Sequence, residues 1–255
     1  MEQDPQFKIS INTDIEKYRC ETLHTKEPET IEWIRSFKDD DIFYDIGANI
    51  GLYSLFCSTI HPAMQIYAFE PMISNFTKLV LNCDINKFRN LVCIYAAISN
   101  TTELKKLYVP NSVEFLKQGL IAGASGSQLG KPEDEKGNAF QPLTEHIIQA
   151  WKLSDIISFF NLKKPHHVKI DTDGHEKEIL EGIYRASLYG ANLTDYNTIQ
   201  SILVEWNKKK FPELMEYMKQ KGYTDDNRFQ KMENHSRIRQ TNTDVENVIF
   251  TMRES

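Results

Sequence analysis

The residues best equipped for chemistry lie in two clusters, Asp45-Ile-Gly-Ala-Asn-Ile-Gly51 and Lys169-Ile-Asp-Thr-Asp-Gly-His-Glu176. In the first, Gly47 and Gly51 let the backbone turn tightly around Ala48 and Asn49 and approach a ligand closely. The amides that open the following helix point their donors into the same space. The spacing is G-x-x-x-G, which matches neither the G-x-G-x-x-G of a dinucleotide site nor the G-x-x-x-x-G-K-[ST] of a P-loop. Glu70 closes the next strand-like run, Gln65 to Glu70. A carboxylate at that strand tip can accept both ribose hydroxyls of a nucleoside and repels a 2′-phosphate.

The second cluster places three carboxylates and one imidazole within six positions, a costly arrangement unless they are solvated or used. Asp171 ends a strand, Asp173 and Gly174 make a turn, and His175 and Glu176 open the next helix. His175 suits a general base because its ordinary pKa lies near neutral pH, and Asp171 could serve equally, with Asp173 and Glu176 orienting an acceptor. A third option is a magnesium- or manganese-like ion held by Asp171 and Asp173, which would lower the pKa of a bound hydroxyl. Asp173 and Glu176 also suit simple helix capping. Glu205, at the tip of a later strand, is a further carboxylate that could join the group.

Both clusters need a parallel sheet to bring them together, and the hydrophobic patterning supplies one. Strands are expected over 41–46, 64–70, 91–98, 103–109, 167–171, 199–206 and 247–252. Helices are expected over 28–37, 50–60, 73–86, 153–160, about 176–188 and 212–221. Alternation of this kind implies an α/β fold, a mostly parallel sheet with helices on both faces and an antiparallel C-terminal hairpin. Ligands would sit beyond the carboxyl ends of the strands. Residues 1–40 read as an N-terminal cap segment, and about 110–150, with the Gly-rich run Gly119 to Gly130, as a loop-rich insertion acting as lid or acceptor-binding loop.

The chain has 255 residues, 40% hydrophobic and 11% aromatic, which suits a single domain with a substantial core. The formal net charge is −6, a balance that speaks against nucleic acid as the main partner. No stretch has the length and apolarity of a membrane span, and the start lacks the pattern of a secretory signal, so a cytoplasmic location is expected. The four cysteines, at 20, 57, 83 and 93, form no C-x-x-C pair.

Lys26-Glu-Pro-Glu-Thr-Ile-Glu-Trp-Ile, Phe43-Tyr-Asp-Ile-Gly-Ala-Asn-Ile-Gly-Leu-Tyr-Ser, Phe69-Glu-Pro, Tyr95-Ala-Ala-Ile-Ser and Val168-Lys-Ile-Asp-Thr-Asp-Gly-His-Glu follow one another in this order. That ordered set resembles the FkbM family of methyltransferases, over about Lys26 to Trp206. The resemblance implies a class I methyltransferase Rossmann-like fold with a seven-stranded sheet, S-adenosylmethionine as donor, and O-methylation of a hydroxyl on a sugar, glycan or natural-product scaffold. It implies that Asp45, Gly47, Ala48, Asn49 and Gly51 surround the methionine part of the cofactor and that Glu70 holds its ribose. Pro71 and Asn75 would border the adenosine, Ala96 and Ala97 would pack adenine, and Glu29 and Thr30 would reach the amino-acid end. Glu70→Ala is expected to weaken cofactor binding and leave the fold intact. Two other readings are a non-catalytic S-adenosylmethionine-binding protein and an NAD-dependent oxidoreductase, the latter disfavoured by the missing G-x-G-x-x-G.

Overall fold

The computed structural model describes residues 6–110, 122–134, 137–185, 198–229 and 244–253. The first residues of the Gly-rich run (119–121), the end of the helix expected to 188 and most of the polar stretch before the last strand lie outside them.

The central sheet has seven strands: β1 (Ile42–Ile46), β2 (Gln65–Phe69), β3 (Leu91–Ile94), β8 (His167–Ile170), β9 (Ser201–Asn207), β10 (Tyr223–Asp225) and β11 (Val245–Met252). Their order is β10-β11-β9-β8-β1-β2-β3, and every pairing is parallel except those of β11. β1 is wholly buried because it is central and covered on both faces, which explains its apolar Ile-Phe-Tyr run. One face carries α3 (Pro28–Arg35), α4 (Leu52–Ile60) and α5 (Ile73–Asn86), packed through Trp33, Ile34, Leu55, Phe56 and Leu79. The other carries α6 (Leu153–Phe160), α7 (Glu176–Ile183) and α8 (Leu214–Gln220), packed through Ile156, Ile157, Ile179, Leu180 and Met218. α3 starts at Pro28, where a missing N–H costs nothing, and buries Ile31, Trp33 and Ile34 at helical spacing.

β1 is the switch point: its neighbours β2 and β8 are reached by chains leaving in opposite directions, so a crevice opens at its carboxyl end.

Three features depart from the sequence reading. The segment before α3 holds two more helices, α1 (Asp14–Glu21) and α2 (Leu23–Lys26); α1 opens with a capping box in which Thr13 and Glu16 exchange bonds. The strand expected over 91–98 breaks at Tyr95 and Ala96, and its tail, β4 (Ala97–Ile98), joins a second sheet. That sheet, ordered β4-β7-β5-β6, also contains the strand expected over 103–109, β5 (Glu103–Pro110), with β6 (Gln128–Leu129) and the ten-residue β7 (Pro142–Trp151), both in the stretch expected to be mostly loop. The alternation in Leu143-Thr-Glu-His-Ile-Ile-Gln-Ala is imperfect, which hid β7 from a period-two reading. Among the described residues, no helix is long and apolar enough to cross a membrane.

Candidate active site

The turn after β1 is shaped by three consecutive constraints. The amides of Gly47 and Ala48 both donate to the Phe69 carbonyl, tying the turn to the tip of β2. Gly47 (φ +81°), Asn49 (φ +53°) and Gly51 (φ +91°) occupy the left-handed region that glycine and asparagine tolerate. At Gly47 a Cβ would lie 1.8 Å from the Asp171 carbonyl oxygen, and at Gly51 it would lie 2.4 Å from Leu79 Cδ1. The tips of β1 and β8 are therefore in backbone contact, and the two chemical clusters of the sequence meet there.

A cleft of about 970 Å³ opens above these tips, lined by Gly47, Asn49, Glu70, Pro71, Asn75, Asp171, Asp173 and Glu205. Beside it, a chamber of about 450 Å³ runs under α1 and α2, lined by Arg19, Lys26, Glu27, Ala48, Tyr53 and Lys169. An apolar chamber of about 360 Å³ lies on the other side, with Phe69, Ala96, Ala97, Leu129 and His175 in its wall.

Glu70 holds two turns as well as facing the cleft. Its Oε2 accepts the Asn49 amide and its Oε1 the Met72 amide, both at 2.8 Å. Burial pushes its carboxyl up to about 7, against the lowering effect of those two amides. Asn75 and Asn49 reach over the cleft: both side-chain amides donate to the Ala124 carbonyl, at 3.0 and 2.9 Å, and Asn75 Oδ1 accepts the Gly123 amide. Residues 123 and 124 are thus tied across the cleft to the turn after β1 and to α5.

The second cluster divides into two halves. Asp171 faces the cleft and accepts from the buried Lys169 ammonium at 2.6 Å. Asp173 (φ +56°) also lines the cleft and accepts the Gly126 amide at 2.7 Å, while the Gln128 side chain donates to its carbonyl. Glu176 turns inward instead: its Oε1 accepts the Thr172 amide, the Thr172 hydroxyl and the Gly174 amide, and burial raises its carboxyl to about 7. His175 lines the apolar chamber, where its Nε2 accepts the Leu129 amide at 3.0 Å, so the proton is on Nδ1. Burial lowers its pKa, and its free lone pair is committed to that amide.

Glu29 and Thr30 stand behind the cleft. Glu29 Oε1 accepts from Asn247 on β11, and the Thr30 hydroxyl donates to Glu27. Asp45 is buried beneath the turn, its Oδ2 accepting the Ser54 hydroxyl at 2.6 Å and its Oδ1 lying 4.0 Å from Lys169. Among the described residues, no group of three or more His, Cys, Asp or Glu side chains is placed to hold a metal ion.

Lys169, Tyr53, Glu27, Lys26 and Arg19 were not assigned roles from sequence. Lys169 sits 5.1 Å over the Tyr53 ring, the Tyr53 hydroxyl donates to Glu27 at 2.8 Å, and Glu27 pairs with Lys26 at 2.8 Å. Burial disfavours the Lys169 ammonium, but Asp171, Asp45 and Glu27 outweigh it and hold its pKa above the ordinary value. The signal for Lys169 was present: a lysine inside the apolar run of a central strand needs a buried partner. Glu205, at the end of β9, has its carboxyl pushed well above the usual range by burial and by Asp171, Asp173, Glu176 and Glu27.

A family model described as the methyltransferase FkbM domain matches residues 45–224, from the first cluster through the second. The chain belongs to the FkbM methyltransferase family. Similar proteins include the hexuronic acid methyltransferase AglP of Haloferax volcanii, 24% identical over 70% of this chain and 65% of that protein. Another is the 31-O-demethyl-FK506 methyltransferase FkbM of Streptomyces tacrolimicus, 23% identical over 56% of this chain and 59% of that protein. The chain thus spans just under two thirds of the length of these FkbM relatives. Among solved structures, TYW2 of M. jannaschii in complex with AdoMet is 12% identical, with 90% of this chain and 77% of that one covered and a TM-score of 0.44.

Proposed function

We propose that the chain is an S-adenosylmethionine-dependent O-methyltransferase whose acceptor is a hydroxyl of a sugar, glycan or natural-product scaffold. The observation that carries this reading is the contact between Gly47 and Asp171, which sets the cofactor turn and a carboxylate-lined cleft against each other. The residues fit the donor. Gly47 leaves no Cβ in the turn, Glu70 offers a carboxylate to ribose hydroxyls, and the apolar chamber behind Ala96 and Ala97 suits a planar base. Family membership and the two relatives named for methyl transfer support the same reaction class.

The donor supplies an electrophilic methyl group on a sulfonium; the protein supplies alignment, exclusion of water and a home for the acceptor proton. With the donor bound, transfer of its methyl group to a hydroxyl would free the hydroxyl proton, and a carboxylate of this chain would take that proton up. Asp171 and Glu205, at the tips of β8 and β9, line the cleft where that proton is released, with Asp173 orienting the acceptor. Glu176 and His175 shape the turn and the chamber wall.

Calorimetric titration with S-adenosylhomocysteine tests the donor site, and transfer of labelled methyl to a panel of hydroxylated acceptors tests the reaction. Absence of cofactor binding alongside binding of NAD would overturn the reading. Binding without turnover of any acceptor would favour a non-catalytic protein.

A further inference from the structure

Outside the cofactor cleft, a groove of about 850 Å³ runs between α1 and residues 123–125, bordered by Asp14, Tyr18, Arg19, Lys26 and Ser125. It shares Arg19 and Lys26, with Ala124 and Ser125, with the cleft, so the two spaces are continuous.

The inner cleft wall is acidic, with Glu70, Asp171, Asp173 and Glu205, and the cations Arg19 and Lys26 stand where the cleft meets the groove. Lys26 is paired with Glu27. Arg19 is different: its Nε donates to the neutral Gly123 carbonyl, and among the described residues it has no carboxylate partner. Of the other acids on α1, Glu16 pairs with Lys78 at 2.9 Å and Glu21 with Lys17 at 3.8 Å, while Asp14 stands at the groove's rim. A partly buried guanidinium held in place by a backbone carbonyl and left without a counter-charge is built for a planar anion. Next to it, Tyr18 exposes its ring and Asp14 its carboxylate, a flat apolar face and a hydroxyl acceptor of the kind a sugar ring uses.

We propose that this groove is an acceptor subsite for an acidic sugar, with the carboxylate of a uronic acid on Arg19 and its ring against Tyr18. The proposal rests on the hydroxyl-methylation reading above. The charge pattern also sets the orientation, because the acidic cleft wall repels the acceptor carboxylate: the anion stays outward on Arg19 and a ring hydroxyl points inward toward Asp171 and Glu205.

The test is ligand-observed saturation-transfer NMR on the full chain saturated with S-adenosylhomocysteine, using methyl β-glucuronide and methyl β-glucoside as probes. The glucuronide is expected to bind roughly tenfold or more tightly than the glucoside, as a charge-assisted contact at a half-buried site implies. Arg19→Gln is expected to erase the difference, and Tyr18→Ala to weaken the glucuronide without changing its lead over the glucoside. Equal binding of the two sugars, no binding of the glucuronide, or an unchanged preference in Arg19→Gln would overturn the proposal. So would a calorimetric loss of S-adenosylhomocysteine binding in Arg19→Gln, which would assign the guanidinium to the cofactor's own carboxylate. Methyl transfer is read separately. A glucuronide that binds in this way and is never methylated leaves the subsite standing and sinks the hydroxyl-methylation reading.

Discussion

Glu70 shows how far a side chain's role can be read from its position in a sequence. Its placement at a strand tip is the basis for proposing it as a ribose ligand, but the expectation that Glu70→Ala would spare the fold overlooks its hydrogen bonds. Alanine leaves the buried Met72 amide and the part-buried Asn49 amide without acceptors, at about 1–3 kcal/mol for a buried group left unsatisfied and less for one that water can reach. Thermal denaturation should therefore show a clear loss of stability alongside the weakened binding of S-adenosylhomocysteine measured by calorimetry. The pH dependence is directional as well. With its carboxyl raised to about 7 in the free protein, a Glu70 that binds ribose as the ionised form should give cofactor affinity that rises between pH 6 and 8, and Glu70→Gln should flatten that rise. Lys169 carries a second prediction. Replacing it by Met leaves Asp45, Asp171 and Glu27 facing one another without the ammonium between them, a loss of about 3–5 kcal/mol by analogy with other broken buried pairs. Lys169 lowers the pKa values of Asp45 and Glu27; without the cation both rise, so the variant's deficit should shrink as pH falls from 7 toward 5 in urea titrations. The backbone-determined residues, Gly47, Asn49 and Gly51, were legible because their type follows from local geometry. Lys169, Tyr53 and Glu27 were not, because what they do depends on partners brought together only by the sheet.

At the scale of elements, the core sheet was legible nearly strand by strand, since long buried strands alternating with amphipathic helices write a strong pattern. The second sheet was legible only in β5 and in the tail of the 91–98 run, because β6 is two residues long and β7 pairs across a long connection. The turn between β8 and α7 illustrates a division that spacing alone could not make. Glu176 satisfies three donors of that turn, whereas Asp173 fastens residues 126–128 across the cleft. Asp173→Ala should raise hydrogen exchange at the Gly126 and Leu129 amides and speed proteolysis of that segment, with a stability change of only about 1 kcal/mol. Glu176→Ala should instead cost about 2–3 kcal/mol, since its amide and hydroxyl donors lose a common buried acceptor. Equal effects in the two variants would erase the distinction.

Across the whole molecule, the two ends of the sheet have separate duties. At the carboxyl end stands the cleft; at the opposite end Asp41, His167, Ser201 and Trp33 form a buried chain, with His167 Nε2 2.9 Å from Asp41, His167 Nδ1 2.7 Å from Ser201, and Trp33 donating to Ser201 at 2.8 Å. The order is that of a hydrolase triad, but Phe37 lies flat on the imidazole at 3.8 Å, and the chain ties α3 to β8 and β9. Its signature should be in stability, not turnover. Burial opposes the Asp41 carboxylate, yet His167 and the Lys38 amide hold its pKa down to about 2, below an unfolded value of 3.8. That contribution is present above pH 4 and is lost as the pH falls toward 2. His167, lowered by burial, resists protonation in the fold, so stability also declines as pH falls below its ordinary 6.5. His167→Asn should remove part of this acid sensitivity in denaturation midpoints while leaving cofactor affinity unchanged. The contact of Gly47 with the Asp171 carbonyl has one more consequence. Because it joins main chain to main chain, the span from the Gly47 turn to the carboxylates at the tip of β8 is a fixed gauge, set before any side chain is chosen. On the proposed reading, descendants of this chain could exchange the residues of α1 and of the 122–130 segment, and with them the acceptor, without having to retune the distance over which the methyl group travels.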